Sequence, residues 1–271
     1  MYLYHKINSE VQIKRNGAFD FMTVDVIGGG ERESACAERL APSEICSNFS
    51  RVLVLPIPTA RNGRDITGTD IPLASLAQLS ESGVLFCAHG LPESYKKCIT
   101  ELGGVVADVA EDERFVAENA ALTAECTLSY IMNTRKAALA DLYVGIVGYG
   151  RIGKALLELL LFHGTRVTVF TRGDSVRMKL LEDGVEAKLV SEATFDSLDV
   201  LVNTAPASLF SKKQIESISA EVLELAPGDN FKGIENLTRL PSLPAKMLPK
   251  TAGRLYAEAV VRELEKQGDV K

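Results

Sequence analysis

Apolar residues along this chain follow two alternating rhythms. Short, nearly unbroken runs have the length and β-branched content of buried strands. Leu142-Tyr143-Val144-Gly145-Ile146-Val147 is the clearest. Directly after it the apolar positions respace: Ile152, Ala155, Leu156, Leu159 and Leu160 recur every third or fourth residue until Gly164. That marks one face of a helix and its end. The first rhythm predicts strands at 23–27, 51–55, 84–88, 105–108, 142–147, 166–170, 185–190, 199–202 and 222–225. The second predicts further helices at 32–40, 72–80, 92–102, near 175–182 and near 209–217, and an amphipathic closing helix over 250–267. Residues 1–21 are mixed and polar and predict no element. Residues 113–139 carry no strand signal and read as one or two helices. The segment 240–249 holds Pro241, Pro244 and Pro249, too many prolines for a helix or a central strand.

Strands alternating with helices argue for parallel sheets covered by helices. The expected fold class is therefore α/β, with two Rossmann-like or flavodoxin-like parallel-sheet domains joined by a helical linker. The expected divisions are 1–112 for an N-terminal α/β domain on the substrate side, 113–140 for the linker, 141–249 for a nucleotide-binding Rossmann domain, and 250–271 for the closing helix. A length of 271 residues suits two domains of ordinary size.

Composition narrows the function classes. The net charge of −6, with basic residues dispersed, excludes non-specific nucleic-acid or membrane-surface binding as an expectation. No apolar run reaches the length of a membrane span, and Met1-Tyr2-Leu3-Tyr4-His5-Lys6 lacks the regions of a secretory signal. The five cysteines (Cys36, Cys46, Cys87, Cys98, Cys126) form no C-x-x-C pair and read as reduced thiols. His5, His89 and His163 make no metal-ligand pattern. A cytoplasmic protein without a metal is the expectation.

Candidate chemistry begins at Gly148-Tyr149-Gly150-Arg151-Ile152-Gly153. A strand before and a helix after these three glycines are the context of a dinucleotide loop. The first glycine permits the tight turn, the second admits the pyrophosphate, and the third lets helix and sheet pack closely. The helix N-terminus adds unpaired N–H groups and partial positive charge. Gly28-Gly29-Gly30 resembles a second phosphate loop, but Glu31 and Glu33 stand where an anion would bind. A plain strand-to-helix turn is the better reading there.

Several separated stretches resemble the A chain of dipicolinate synthase. They are Val24-Asp25-Val26-Ile27-Gly28-Gly29, Leu53-Val54-Leu55-Pro56, and Asp112-Glu113-Arg114-Phe115 with Glu118-Asn119-Ala120 and Thr123-Ala124-Glu125. The glycine loop, Val202-Asn203-Thr204-Ala205-Pro206, and Leu243-Pro244 leading to Pro249-Lys250-Thr251-Ala252-Gly253 continue the likeness in order. It spans roughly residues 22–260. The resemblance implies an NAD(P)-dependent oxidoreductase of sporulation that oxidises a dihydro- or hydroxytetrahydro-dipicolinate from the lysine pathway to dipicolinate. It also implies a fold similar to the D-2-hydroxyacid dehydrogenases, an active site between domains, and a partner in the form of a second, flavoprotein-like subunit. A homodimer is an expectation by analogy. The turn at 223–231 and the first domain are shorter than the family's, which leaves the substrate open.

The second strand of the cofactor domain ends in Val169-Phe170-Thr171-Arg172, with no acid for an adenine ribose. A hydroxyl beside a guanidinium suits a 2′-phosphate, so NADP is expected over NAD, with a solvated loop as the competing reading of Arg172. Asn203 and Thr204, with Ala205 and Pro206, are placed to bond the nicotinamide side of the cofactor or to cap their own turn. For a dicarboxylate substrate the candidate cations are Arg61, Arg64 and Lys250. Of these Arg64 reads as surface, while Arg61 follows a strand end. Lys250 and Thr251 gain from the family-like stretch around them. The candidate general bases are His89, since an imidazole titrates near ~6.5, and Glu125 in the linker. Their competing roles are a loop histidine and a helix-dipole partner in a first turn. Two other functions stay open. One is a D-2-hydroxyacid-type NAD(P) dehydrogenase, against which stands the lack of any histidine after His163. The other is a non-catalytic NADP(H)-binding regulatory protein.

Overall fold

The structure is a computed structural model; it describes residues 6–15, 18–41, 45–46, 48–228 and 230–268. The chain divides into two compact units. One holds residues 1–119 and 248–271, the other 120–247.

The first unit runs β1 (Lys6–Arg15), β2 (Ala18–Ile27), α1 (Glu31–Leu40), β3 (Ile45–Cys46), β4 (Arg51–Val54), α2 (Ser75–Gln78), β5 (Val84–Ala88), α3 (Glu93–Glu101) and β6 (Val105–Asp108). Its sheet has the order β3-β1-β2-β4-β5-β6. The pairs β2–β4, β4–β5 and β5–β6 are parallel, whereas β1 and β2 pair antiparallel from Lys6↔Ile27 to Arg15↔Ala18. The polar N-terminal stretch, silent as a sequence, thus contributes an antiparallel strand. The four-residue α2 replaces the longer helix expected at 72–80.

The helix α4 (Glu113–Arg135) is one continuous element of 23 residues. Asp112 caps it, accepting the N–H groups of Arg114 at 3.0 Å and Phe115 at 3.2 Å. Such a cap is worth about 1 kcal/mol. Burial raises the Asp112 carboxyl, yet the Arg262 guanidinium at 2.7 Å and these two N–H groups outweigh it and hold the group below the usual range.

The second unit continues with β7 (Tyr143–Val147), α5 (Arg151–Phe162), β8 (Arg166–Thr171), α6 (Asp174–Glu182), β9 (Glu186–Leu189), β10 (Val200–Asn203), α7 (Lys212–Glu216), β11 (Glu221–Glu224), β12 (Leu237–Arg239) and α8 (Leu243–Met247). Its six strands are all parallel in the order β12-β11-β10-β7-β8-β9. This is the doubly wound order, with its reversal point between β7 and β10. Leu156, Leu157, Leu160 and Leu180 cover one face with Ala124 and Leu128. Phe170, Phe195, Phe210 and Phe231 cover the other. Burial on both faces is why these strands read as continuous apolar runs. The proline-rich segment expected to be irregular does hold a short helix, α8. Pro244 stands in its first turn, where the missing N–H breaks no bond.

The last helix, α9 (Pro249–Gly268), which the sequence sets apart, packs in the first unit and adds Ala252, Leu255, Tyr256 and Val260 to its core. A side chain on Gly253 would meet the Arg32 carbonyl at 2.5 Å and the Ala35 methyl at 2.6 Å, so only glycine lets α9 cross α1 this closely. Tyr256 is wholly buried, and its hydroxyl donates to the carbonyls of Leu55 at 2.5 Å and Cys87 at 3.2 Å. That ties α9 to the ends of β4 and β5.

Candidate functional site

In an open α/β sheet, ligands bind beyond the carboxyl ends of strands at the point where strand order reverses. Here that point is flanked by the turn after β7 and the turn after β10. Gly148 has φ +92°, a conformation that disfavours any side chain, and its N–H donates to the Phe170 carbonyl at 2.9 Å. A Cβ on Gly153 would collide with the Gly148 carbonyl. Around Gly150 the case is opposite: beyond its two chain neighbours, no atom lies within 4 Å of where its Cβ would stand. The N-terminus of α5 has no side-chain cap and no acidic residue in its first turn. An open cradle at an uncapped helix start fits a pyrophosphate. Tyr149 is half-buried beside it under the Lys154 ammonium, 5.3 Å from the ring centre. Burial pushes its phenol up, helped by the charges of Asp183 and Glu158. Arg151 is exposed and Ile152 half-buried.

The turn after β10 braces this cradle. The Thr204 hydroxyl donates to the Val147 carbonyl at 2.9 Å, and the Thr204 N–H to the same carbonyl at 3.0 Å. Asn203 is buried. Its amide nitrogen donates to Glu224 at 2.6 Å and to the Ala205 carbonyl at 3.1 Å, and its oxygen accepts the Ala205 N–H at 3.1 Å. Its side chain is thus committed to the turn. Pro206 follows, exposed. Burial pushes the Glu224 carboxyl above the usual range, against the pull of the Asn203 amide. At the end of β8, Thr171 is buried and accepts the Gly173 N–H at 3.4 Å, while Arg172 is exposed. The nearest acid along the chain, Asp174, pairs with Arg177 at 2.6 Å.

The first unit has its own strand-end cluster. Thr59 is fully buried; its N–H donates to the His89 carbonyl at 2.6 Å, and the His89 N–H returns to its hydroxyl at 3.3 Å. The loops after β4 and β5 are thereby laced together. His89 Nδ1 lies 3.0 Å from Asp108 Oδ1 at the end of β6. Burial raises the Asp108 carboxyl, but the Ala110 N–H, the His89 ring and Lys96 outweigh it and hold it low. Sequence reasoning does not single out Asp108, although it ends a strand that the sequence predicts.

Arg61 and Arg64 lie exposed in the loop after β4. Lys250 is exposed and Thr251 half-buried in the first turn of α9. Glu125 is exposed three turns inside α4, not in a first turn, because the linker is a single helix. The dipole-partner reading of that residue falls. Glu125 belongs to the second unit, whereas the His89 cluster belongs to the first.

The turn after β2 is closed. A Cβ on Gly28 would lie 2.7 Å from Glu33 Cγ, and one on Gly30 would meet the Glu33 carboxylate. That carboxylate is held by Arg32 at 2.6 and 2.9 Å, and Arg32 also donates to the Ile57 carbonyl at 2.9 Å.

Residues 117–229 match the family model "D-isomer specific 2-hydroxyacid dehydrogenase, NAD binding domain". A search of curated proteins gave no match. Among solved structures, the A chain of dipicolinate synthase from Bacillus halodurans is similar at 20% identity and a TM-score of 0.72, over 89% of this chain and 96% of that one. The corresponding chain of dipicolinate synthase from Bacillus subtilis is similar at 15% identity and a TM-score of 0.72, over 90% and 96%. A transhydrogenase from Sinorhizobium meliloti follows at 14% identity and a TM-score of 0.61, over 85% and 79%. The protein has the fold of the dipicolinate synthase A chain, and its second unit matches a dehydrogenase-type NAD-binding domain, which supports an NAD(P)-dependent oxidoreductase.

Proposed function

We propose that the protein is the pyridine-nucleotide component of an oxidoreductase that acts on a cyclic dicarboxylate of the dipicolinate-precursor type. The observation that carries this reading is the open cradle at Gly148–Gly153, in a protein that matches the dipicolinate synthase A chain in fold over nearly its whole length. Gly148, Tyr149, Gly150, Arg151, Ile152 and Gly153 would hold the pyrophosphate, and Thr204 and Asn203 would keep that turn in shape. When bound, the nicotinamide supplies a hydride acceptor.

Arg172, exposed beside Thr171 and followed by an acid already committed to Arg177, favours a 2′-phosphate and therefore NADP. In the first unit His89 is the base that takes the proton lost as the ring is oxidised. Arg61, Lys250 and Thr251 are the candidate groups for the substrate carboxylates, and Glu125 is the second candidate base. A flavoprotein-like second subunit is the proposed partner, in keeping with relatives that are designated as one chain of a synthase. Sporulation and the cytoplasm are the corresponding setting.

The test is ultraviolet detection of dipicolinate from freshly generated lysine-pathway precursor with NADP, with and without the second subunit. Product that depends on this chain supports the reading. Oxidation of a D-2-hydroxyacid instead, or coenzyme binding without any turnover, would replace it by the corresponding alternative.

A further inference from the structure

We infer that Asp108 is a positioning residue that holds His89 in the tautomer whose Nε2 is free to accept a proton. The inference rests on the reading of His89 as the substrate-side base and adds how the fold prepares it. In the sheet, Ala88 pairs with Asp108, so the residue after Ala88 emerges beside the Asp108 carboxylate. That carboxylate is fixed independently of the histidine. Its Oδ1 accepts the Ala110 N–H at 3.0 Å, and Lys96 of α3 stands 3.5 Å from its Oδ2. An ionised carboxylate only accepts hydrogen bonds. At 3.0 Å from it, Nδ1 must carry the hydrogen, and the neutral ring then has its lone pair on Nε2.

Exposure sorts the two residues in the same sense. The Asp108 side chain is 18% exposed and that of His89 44%, so the pair is shielded at its carboxylate end and open at its imidazole end. The two hydrogen bonds between the His89 backbone and Thr59 fix the main chain from which the ring projects. The proposed oxidation removes a hydride equivalent, for which a bound nicotinamide would supply the acceptor, and a proton from the substrate. The accompanying proton passes from the substrate to Nε2, and the imidazolium so formed stays paired with Asp108 until it returns the proton to water.

A carboxylate that merely ties two loops together would be served by an asparagine of the same size. A tautomer lock would not, because an amide can turn either its oxygen or its nitrogen toward the ring. The experiment is ¹⁵N NMR of the three histidine rings in the full-length protein, with His89 assigned through His89→Gln and spectra taken at alkaline pH. The wild type is expected to show His89 as the Nδ1–H tautomer. Asp108→Asn is expected to show a mixture or the other tautomer, and Asp108→Glu to restore the first. In the dipicolinate assay, Asp108→Asn should lower kcat/KM roughly 100-fold or more, with coenzyme affinity unchanged. An Nε2–H tautomer in the wild type overturns the inference without any variant, and so does an unchanged ring spectrum or unchanged kcat/KM in Asp108→Asn. The Nδ1–H tautomer in a protein that never oxidises the dicarboxylate supports the positioning and removes the substrate assignment instead.

Discussion

Two strand-to-helix turns in this chain share a glycine spacing and differ in what fills them. Gly28-Gly29-Gly30-Glu31-Arg32-Glu33 and Gly148-Tyr149-Gly150-Arg151-Ile152-Gly153 share glycine at their first and third positions. Both shared first glycines have positive φ, +136° and +92°. Both third glycines are helix N-caps with no side-chain hydrogen bond. The sixth position separates them. Glu33 folds its carboxylate back over the first turn and closes it, whereas Gly153 sits flat against the Gly148 carbonyl and leaves the second turn open. A helix start offers positive potential to whatever anion reaches it first. In the first unit that anion belongs to the chain itself; in the second the first turn of the helix carries no acidic residue. Glycine spacing alone therefore says little about binding until the sixth residue and the first-turn charges are read with it.

The largest effect is expected from emptying the closed turn. Glu33→Ala strips Arg32 of its carboxylate partner in a mostly buried pair, whose side chains are 12% and 8% exposed. Losing one member of such a pair costs about 3–5 kcal/mol. Chemical denaturation should show that loss, with coenzyme affinity unaltered; an unaffected stability would mean that the carboxylate is no structural plug. The reciprocal change is Gly150→Asp, which puts a carboxylate into open space at the second turn. Coenzyme should bind more than about 100-fold more weakly because like charges meet there, with the melting temperature close to wild type. Retained affinity would remove the pyrophosphate from this turn. A finer cut is Arg172→Ala, expected to weaken NADPH about 10-fold and to leave NADH nearly unchanged. Equal effects on both coenzymes would deny Arg172 a 2′-phosphate.

The smallest effect concerns the carboxyl that braces the open turn from below. Burial raises Glu224, so its contribution to stability is complete below the ordinary glutamate value near 4.5 and is lost as pH rises through the raised folded-state value. Glu224→Gln keeps an acceptor for Asn203 without that charge. Its melting temperature relative to wild type should therefore climb as pH rises from acid toward neutral. A difference that is flat with pH would show that Glu224 does not titrate differently on folding.

Most of the second unit was legible in the sequence, because strands buried on both faces are written as apolar runs and the open turn as glycines between a strand and a helix. The closed turn was legible too, from two acidic residues at a helix start. What escaped is what depends on partners far along the chain. The strand β1, Lys-Ile-Asn-Ser-Glu-Val-Gln-Ile-Lys-Arg, carries polar residues at most positions and owes its state to backbone pairing with β2. The helix α8 starts beside prolines whose meaning depends on their place in the first turn. Asn203 reads as a coenzyme contact or as a cap of its own turn; its bonds to Ala205 follow the second reading, while its bond to Glu224 depends on the neighbouring strand. Asp108 could have been paired with His89 only by knowing that β5 and β6 are neighbours.

One of the two glycine turns, and not the other, is expected to accept a dinucleotide. Isothermal titration of the wild-type protein with NADPH and with NADH tests it most directly. A single coenzyme bound per chain is expected, with NADPH the tighter. No heat of binding with either coenzyme, or two equivalents bound per chain, would contradict it.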